Sequence, residues 1–565
     1  MPNRRRLLPA LPALTLLLML GPVAAGLWGV VLPAFGHLPA AGLTGPSLEP
    51  AMMLATTSGI AAATRLSVTT GFLATGGALL ITALILAGWS GTRAFAALQR
   101  LLSPLLAVPH AAAAFGLAFL IAPSGWAMRV ISPELSGFSR PPDWLIVHDP
   151  LGLTLTAGLI AKEVPFLLLM ALAALPQTQA GPSLQVAQAL GYGRVTGFFK
   201  TVFPRLYTQI RLPVYVTLAY SMSTVDVALI LGPTTPPPLA VLVVRWMADP
   251  DLSFRLLAAA GALWQLVLVV GALGVWRILE LVFARIGDAW VMTGSRGRFD
   301  GPTRGAGLVL GAGSALAVLA GLAGLALWSV AARWEFPDAM PDALTMRSWM
   351  RHGPQAWDAL GTTVLIAGVA TSIALVLTIG CLEAEARYGL SPSSRALWLL
   401  YLPLLVPQVA FLPGLSSLML QAGLAQGIWP VIFGHVVFVL PYVFLSLSDP
   451  FRAWDPLQGR VAAALGASPG RVLWAVRLPM LLRPVLTAMA VGVAVSVGQY
   501  LPTLLIGGGR VATLTTEAVA LTSGGDRRAI GVWALAQTGA ALVPFAIAIL
   551  LPTILWRNRR GLAHA

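Results

Sequence analysis

Charged residues are scarce in this sequence. Asp, Glu, Lys and Arg make up 10% of its 565 residues, hydrophobic residues make up 57%, and the mean hydropathy is +0.82. An ordinary soluble domain has about 25% charged residues, so this composition excludes one. Uncharged runs at 308–331 and 530–556 exceed the roughly 20 residues that a helix needs to cross the hydrocarbon core. Transmembrane strands would be short and alternating, so we expect an all-α integral membrane protein.

Cysteine and lysine are almost absent. The one cysteine, Cys381, excludes an intrachain disulfide, and no Cys/His cluster indicates zinc or iron–sulfur binding, so we interpret Cys381 as a helix-packing residue. Neither of the two lysines, Lys162 and Lys200, follows Gly, whereas a P-loop requires Gly-Lys-Ser/Thr to hold phosphate. The chain therefore has no ATPase motif of this kind, and we expect no bound cofactor and no metal. The absence of an HExxH motif also disfavours a membrane-embedded metalloenzyme.

The charge that remains is mostly positive, with 36 Lys and Arg against 21 Asp and Glu and a net charge of +15. Apolar windows separated by charged or Pro/Gly-rich breaks predict about twelve membrane spans. The predicted spans lie at 9–31, 68–90, 101–122, 153–175, 211–232, 256–280, 308–331, 359–380, 396–420, 427–447, 482–506 and 530–556. Because this number is even, both termini are expected on the same side of the membrane.

Basic residues accumulate on the side that holds the termini. Membrane insertion retains Lys and Arg in the cytoplasm, and with the termini inside we count about 24 basic residues in cytoplasmic segments against about 11 outside. Acidic residues concentrate in the predicted outer loops, at Asp143, Asp149, Asp249, Asp251, Glu335, Asp338, Asp342, Asp358, Glu517 and Asp526. The basic composition therefore indicates topology, with both termini cytoplasmic, and not nucleic-acid binding.

The N-terminal stretch has two interpretations. Arg4, Arg5 and Arg6 followed by an apolar run, with Ala24 and Ala25 near a cleavage site, would suit a removed signal peptide. The apolar run continues to Phe35, which is too long for the apolar part of a typical signal peptide and favours an uncleaved first span.

One short basic stretch occurs twice. QVAQALGYGRVTGFFKTVFP at 185–204, the first repeat segment, and RVAAALGASPGRVLWAVRLP at 460–479, the second repeat segment, share six of twenty positions at an offset of 275. They follow the fourth and tenth predicted spans, which indicates two parallel halves of six spans, 1–283 and 306–565, joined by a Gly-rich, basic cytoplasmic linker at 284–305.

Each repeat segment has the pattern of a surface helix. Val-Ala-x-Ala-Leu favours a short helix, the following Gly is suited to end it, and Pro marks the entry to the next span. Such a helix on the cytoplasmic face could dock a soluble partner. A single copy would also suit an ordinary basic loop, but two copies at equivalent places favour docking.

The two segments resemble the EAA loop of binding-protein-dependent ABC importer permeases, in which the loop forms the coupling helix that sits in a groove of the ATPase. The matched ATPase-coupling positions are Gln185, Val186, Ala187, Ala189, Leu190, Gly191 and Pro204, and Arg460, Val461, Ala462, Ala464, Leu465, Gly466 and Pro479. The family's Glu is replaced by Gln185 and Arg460, and its first Ala by Val in both copies, so no salt bridge from that Glu is expected.

Longer stretches, such as RPPDWLIVHDP at 140–150 and LIAKEVPFLLLMALAALPQ at 159–177, resemble fused double permeases of thiamine transport and, more distantly, iron(III) permeases. The resemblance implies the type I importer permease fold in a bacterial inner membrane. It also implies two cytoplasmic ABC ATPase subunits that use ATP, an extracytoplasmic solute-binding protein, and a small solute: thiamine or a related cation, or else iron(III), a polyamine or another solute.

Polar residues inside the predicted spans are candidates for the translocation pathway, because a charge at the bilayer centre costs about 2.5–3.5 kcal/mol on insertion scales. These candidates are His110, Lys162, Glu163, Asp226, Gln408, His435 and Gln499. Glu163 and Asp226 would attract a cation; alternatively, Lys162 and Glu163 form local structural pairs and Asp226 lies near the outer boundary. An ATP-independent secondary transporter remains the competing class, although it would not need two docking segments.

Overall fold

The computed structural model describes residues 8–39, 42–297, 300–390 and 394–555, and these residues are almost entirely helical. Within them the only strand-like pairings are two isolated bridges, Leu38 with Leu43 and Ala331 with Leu344. The all-α membrane fold expected from composition is confirmed. The arginines at 4–6 and at 557, 559 and 560, which contributed to the predicted orientation, lie outside the described residues.

The helices of the first half run in chain order from the N-terminal span to a long helix that leaves the membrane. They are α1 (Leu11–Ala34), α2 (Glu49–Thr56), α3 (Ile60–Trp89), α4 (Arg93–Leu102), α5 (His110–Ile121), α6 (Trp126–Ile131), α7 (Leu153–Ala174), α8 (Ala180–Ala189), α9 (Arg194–Thr201), α10 (Phe203–Ser223), α11 (Asp226–Leu231), α12 (Leu239–Ala248) and α13 (Ser253–Met292).

The second half repeats this order. Its helices are α14 (Asp300–Val330), α15 (Arg347–Tyr388), α16 (Ser394–Leu405), α17 (Gln408–Gln421), α18 (Ile428–Ala453), α19 (Pro456–Ala464), α20 (Pro469–Val472), α21 (Leu478–Met480), α22 (Leu482–Val497), α23 (Leu501–Gly507), α24 (Leu514–Ala520) and α25 (Arg527–Leu555). The helix pairs α7/α18, α9/α20 and α12/α24 begin 275 residues apart, the offset that separates the two repeat segments. The internal repeat is therefore structural as well as sequential.

The exact number of twelve spans is not confirmed. Nine helices in the described residues are long and apolar enough to cross a membrane, or up to 11 if two bent pairs each count as one span. One bent pair, Trp398–Leu405 with Gln408–Gln421, turns by 86° at Pro407 and corresponds to the predicted span 396–420. The predicted span 211–232 is split into α10 and α11, and Arg205 and Arg211 lower the apolar character of α10.

The first helix of each half packs against the other half. Helix α1 crosses α17 and helix α14 crosses α5. Both crossings depend on glycine: an added Cβ on Gly29 would lie 2.6 Å from the carbonyl oxygen of Gly414, and one on Gly116 would lie 2.8 Å from the carbonyl carbon of Gly321. Small residues allow membrane helices to approach this closely. The exchanged helices thus join the two halves.

The stretch predicted as a linker, 284–305, is mostly helical. Helix α13 continues to Met292 and α14 begins at Asp300, so among the described residues of this stretch only Thr293–Gly297 are outside helices. The apolar run Ala-Trp-Val-Met at 289–292 favours continuation of α13. At 40 residues α13 is about 60 Å long, twice the hydrocarbon thickness, so its last turns extend to the level of the first repeat segment. The half boundaries themselves stay a prediction.

Candidate docking segments and translocation site

Both repeat segments form the predicted short helix that ends at glycine. In the first, the amides of Gly191 and Tyr192 donate to the carbonyls of Gln188 and Ala187, at 2.9 and 3.1 Å. The same two bonds recur in the second, from Gly466 to Ala463 and from Ala467 to Ala462. This is the Schellman arrangement, which needs a left-handed residue after the helix. Gly191 and Gly466 supply it, with φ of 83° and 85°.

The faces of these helices that could meet a partner are open. Val186 and Leu190 are 61% and 60% exposed, and Val461 and Leu465 are 54% and 84% exposed. The other matched positions on the open face, also exposed, are Gln185, Ala189, Gly191, Arg460, Ala464 and Gly466. Ala187 is buried and Ala462 is half-buried on the inner side. Exposed aliphatic side chains on a surface helix favour contact with another protein.

The prolines of the two segments lie in different helical contexts. Pro204 is in the first turn of α10, where proline's missing N–H costs nothing. Pro479 is near the end of the helical run Pro469–Met480, which bends by 78° into α22. The Gly-Ala-Ser-Pro-Gly stretch at 466–470 matches the letters of a serine nucleophile motif, but Ser468 accepts a bond from the Arg471 amide as a helix cap. It lies between two short helices and not after a strand, so it has no nucleophile context.

Arg477 holds the second repeat segment against the membrane helices. Its guanidinium donates to Glu383 of α15 at 2.9 Å and lies 4.4 Å from the ring centroids of both Phe451 and Trp454. Trp454 lies two residues before α19, and Arg477 lies near the end of the second repeat segment. The chain on both sides of α19 is thus tied to one partly buried cation, and through Glu383 to α15.

The span that follows each repeat segment is interrupted at the same depth. Helix α10 ends at Ser223 before α11, and α22 ends at Val497 before α23. The carbonyl freed at Met222 accepts from Gln265 Nε2 at 3.0 Å, and the one freed at Val497 accepts from Thr515, which in turn accepts from Gln537. Because buried backbone groups must be paired, these contacts stabilise the breaks.

Lys162 has a structural role. Its Nζ donates to the carbonyls of Leu105 and Val108, at 2.6 and 2.7 Å, in the turn that leads into α5. Pro109 prevents the helix from continuing through this turn and leaves those carbonyls without helical partners. The predicted local pair of Lys162 with Glu163 is not among the ion pairs of the described residues. At the matching position of the second half, 275 residues on, Val437 replaces this lysine.

Glu163 lies between His110, the first residue of α5, and Thr217 of α10. Its carboxylate lies 3.6 Å from His110 Nε2 and accepts from Thr217 at 3.1 Å, while only 4% of the residue is exposed. The His110 ring packs on Tyr220 with centroids 4.9 Å apart. Tyr442, which belongs to the second half, interacts electrostatically with Glu163.

Asp226 lies at the break between α10 and α11. It is 8% exposed and accepts from the Thr224 hydroxyl at 2.9 Å, and the Tyr220 hydroxyl lies 3.4 Å from the same Thr224 oxygen. Tyr500, at the equivalent break of the second half, interacts electrostatically with Asp226, as does Tyr220. Sequence reasoning missed the three tyrosines because a tyrosine inside an apolar span carries no charge signal.

These groups form what we call the carboxylate–tyrosine cluster: Glu163, Asp226, Tyr220, Tyr442 and Tyr500. Both carboxylates come from the first half, and Phe438 and Leu501 occupy the equivalent positions of the second. Among the described residues, neither carboxylate has a Lys or Arg nitrogen within ion-pair distance, so His110 is the only cationic candidate beside them. The cluster therefore places two nearly buried carboxylates near three phenol groups contributed by both halves.

The remaining candidates divide into two groups. Gln408, the first residue of α17, donates to Gln499 at 3.3 Å, and both side chains are partly accessible at the breaks of the second half. His435 is 2% exposed and bonds Ser496 at 2.7 Å and Thr503 at 2.9 Å, so it ties α18 to the broken helix and faces no opening. No group of three metal-ligating side chains occurs in the described part of the chain.

Comparison with known proteins gives consistent matches. Residues 377–556 match the family described as binding-protein-dependent transport system inner membrane component. The chain is 32% identical over 544 residues to the inner membrane ABC transporter permease protein YnjC of Escherichia coli, which covers 95% of this chain and 98% of YnjC.

Two shorter matches concern single permeases. PhnV of Salmonella typhimurium, provisionally named as a 2-aminoethylphosphonate transport system permease protein, is 27% identical over 234 residues, which are 41% of this chain and 84% of PhnV. The spermidine/putrescine transport system permease protein PotC of Haemophilus influenzae is 26% identical over 148 residues, 26% of this chain and 57% of PotC.

Proposed function

Because the chain belongs to the family of binding-protein-dependent inner membrane components, the permeases of ABC importers, we propose that it forms the translocation pathway for a thiamine-like organic cation. An extracytoplasmic binding protein would deliver this solute, and two cytoplasmic ATPase subunits would drive its import. Both termini would lie in the cytoplasm with the repeat segments, as the distribution of Lys and Arg favours.

The pair of repeat segments is the observation that best supports binding of two ATPase subunits. Each presents exposed aliphatic side chains on a helix that ends in a left-handed glycine, and the two sites are related by the internal repeat. Two equivalent sites on one chain support two copies of one partner. A secondary transporter has no use for such a pair.

The ATPase part predicts a defined complex. Co-expressed with an ABC ATPase from the same organism, the chain should purify with two ATPase subunits per permease, as measured by the mass of the detergent-solubilised complex. The binding protein with its solute should then stimulate ATP hydrolysis in proteoliposomes. Purification without any ATPase, together with uptake that needs no ATP, would establish the secondary transporter instead.

The carboxylate–tyrosine cluster supports a cationic solute. A nearly buried carboxylate without a Lys or Arg partner costs several kcal/mol, and a passing cation removes part of that cost. Tyrosine faces add cation–π attraction of about 0.5–2 kcal/mol. Thiamine, with its quaternary nitrogen in an aromatic ring, fits both features. A polyamine also fits the carboxylates and is the alternative solute, since PotC is named for spermidine and putrescine.

Removing the two negative charges should impair transport of the cation. We expect Glu163→Gln with Asp226→Asn to lower uptake of labelled thiamine about tenfold, which corresponds to about 1.4 kcal/mol of lost attraction, while ATPase binding stays unchanged. Glu134→Gln, at an exposed position of an outer loop, is the matched control. The measurement is uptake into proteoliposomes with binding protein, repeated with spermidine, iron(III) and 2-aminoethylphosphonate. Unchanged uptake in the double variant would contradict the role of the cluster.

A further inference from the structure

The two repeat segments are held in different ways. The second is tied to α15 through Arg477, whereas the first is tied to the connection between the halves. The Gly193 amide donates to the Arg296 carbonyl at 2.9 Å, and Lys200 Nζ donates to the carbonyls of Trp290 and Ser295, at 3.1 and 3.0 Å. Hence the end of α13 and residues 293–297 lie directly against the first segment.

Asp300, the first residue of α14, caps α9, the second helix within the first repeat segment. Its two carboxylate oxygens accept from the amides of Arg194 and Val195, at 2.9 and 2.8 Å. These are the first two amides of α9, which have no helical partner of their own and favour a negative charge. A residue 106 positions away along the chain therefore determines where α9 starts.

The closeness of Asp300 to this turn is also visible at Gly193, where an added Cβ would lie 2.7 Å from the carboxylate. In the described residues of the second half, no acidic side chain plays this part. There, helix α20 is capped by its own Ser468, which accepts from the Arg471 amide. The first repeat segment is therefore held by the chain that connects the two halves, and in the described part of the chain the second repeat segment has no equivalent contact.

The chain that connects the two halves also places a cation beside the exposed face of α8. The guanidinium of Arg296 is exposed and lies 3.4 Å from the position of a Cβ on Gly191, the glycine that ends α8. At the equivalent Gly466 nothing lies within 4 Å. A partner that binds at the end of α8 must therefore contact Arg296, whereas a partner that binds at the end of α19 contacts no equivalent cation.

We propose that residues 293–297 are part of the first docking surface, with Arg296 contacting a carboxylate-bearing surface of one ATPase subunit and Asp300 positioning the segment for that contact. This rests on the proposed function. Charge favours the assignment, because residues 185–204 and 293–297 contain Arg194, Lys200 and Arg296 and no acidic residue. Two identical ATPase subunits would then bind the two sites with different strength and different salt dependence.

The test reads the two sites separately. Leu190→Cys and Leu465→Cys place single reactive thiols on exposed positions of the two segments, and the native Cys381 is buried. Maleimide labelling of the full permease is measured while the purified ATPase is titrated, which gives the ATPase concentration that half-protects each thiol. The variants are compared by the ratio of the half-protecting ATPase concentrations, the midpoints, at positions 190 and 465. A ratio is needed because ATPase subunits that associate with each other make binding at one site depend on binding at the other.

With Arg296→Ala we expect the midpoint at position 190 to rise about threefold relative to that at 465, the size of one exposed charge contact, and to become less sensitive to salt. Asp300→Ala should shift the same ratio, and Asp300→Asn, which keeps one of the two acceptor oxygens, should restore part of it. Arg285→Ala, at an exposed position of α13, is the control and should change nothing.

The outcomes separate the two proposals. An unchanged ratio in both Arg296→Ala and Asp300→Ala, with protection at both thiols intact, would overturn the composite surface and leave ATPase docking in place. Lack of protection at either thiol in the parent permease would instead overturn the docking of an ATPase on the repeat segments.

Discussion

Replacing Gly191 and Gly466 together with valine is expected to reduce uptake at least tenfold while the permease stays folded and the ATPase stays active. Both glycines have φ near +85°, where a residue with a Cβ is strained by roughly 1–2 kcal/mol and a β-branched residue by more. The strain can be relieved only if the hydrogen bonds of the Schellman arrangement break, which moves the ends of α8 and α19. The measurement is the ratio of uptake to ATP hydrolysis in proteoliposomes.

Two other glycines provide the control for this experiment. Gly181 and Gly470 lie in the helices α8 and α20, have no positive φ, and have nothing within 4 Å of an added Cβ. Valine at both should leave the ratio nearly unchanged. Full uptake in the Gly191→Val, Gly466→Val double variant would refute the assignment of these segments as coupling elements. We expect Gly191→Val alone to be the more harmful single change, because Arg296 lies beside it.

Leucine at Gly116 and Gly414 is expected to lower the stability of the whole permease by about 4 kcal/mol or more, the range of severe overpacking. At both positions the nearest atoms are backbone atoms of the exchanged helix, Gly321 in one case and Gly26 in the other, so no side chain can move aside. The helices must separate, and the contacts that join the halves are lost. The measurement is the midpoint of thermal unfolding of the purified protein in detergent.

A glycine on the same kind of helix without a close neighbour is the control. Gly313 lies on α14 like Gly321, but no atom lies within 4 Å of an added Cβ. Gly313→Leu should shift the midpoint little, whereas Gly321→Leu should match Gly116→Leu. Equal midpoints for Gly313→Leu and Gly321→Leu would show that the helix exchange does not hold the halves together.

The positions of the repeat segments and the ends of their helices could be predicted from the sequence. The offset of 275 between the repeat segments recurs in the starts of α7/α18, α9/α20 and α12/α24, and the glycines predicted to end short helices do so. These features are local: a helix, its cap and its turn depend on residues within one or two turns of each other. Span counting was less successful, because α10 and α11 are shorter and more polar than the segment from which one span was predicted.

The roles of the polar residues could not be read in the same way. Lys162 and Glu163 are neighbours in sequence, yet one binds carbonyls before α5 and the other faces His110 and Thr217. Composition marked both as costly in a membrane but carried no information about their partners. His435 was a candidate for the same reason, and its two hydroxyl partners lie 61 and 68 residues away.

The membrane class, the helical fold, the duplication and the helix-ending glycines can all be predicted from the amino-acid sequence, since hydropathy, periodicity and left-handed turns are properties of short stretches. Three relations are seen only in the folded chain: which helices cross between the halves, which tyrosines of the second half lie near the carboxylates, and that Asp300 and Arg296 lie against the first repeat segment but not the second. Those relations join residues roughly 100 to 400 positions apart, and they follow from close packing of helices, which no local pattern encodes.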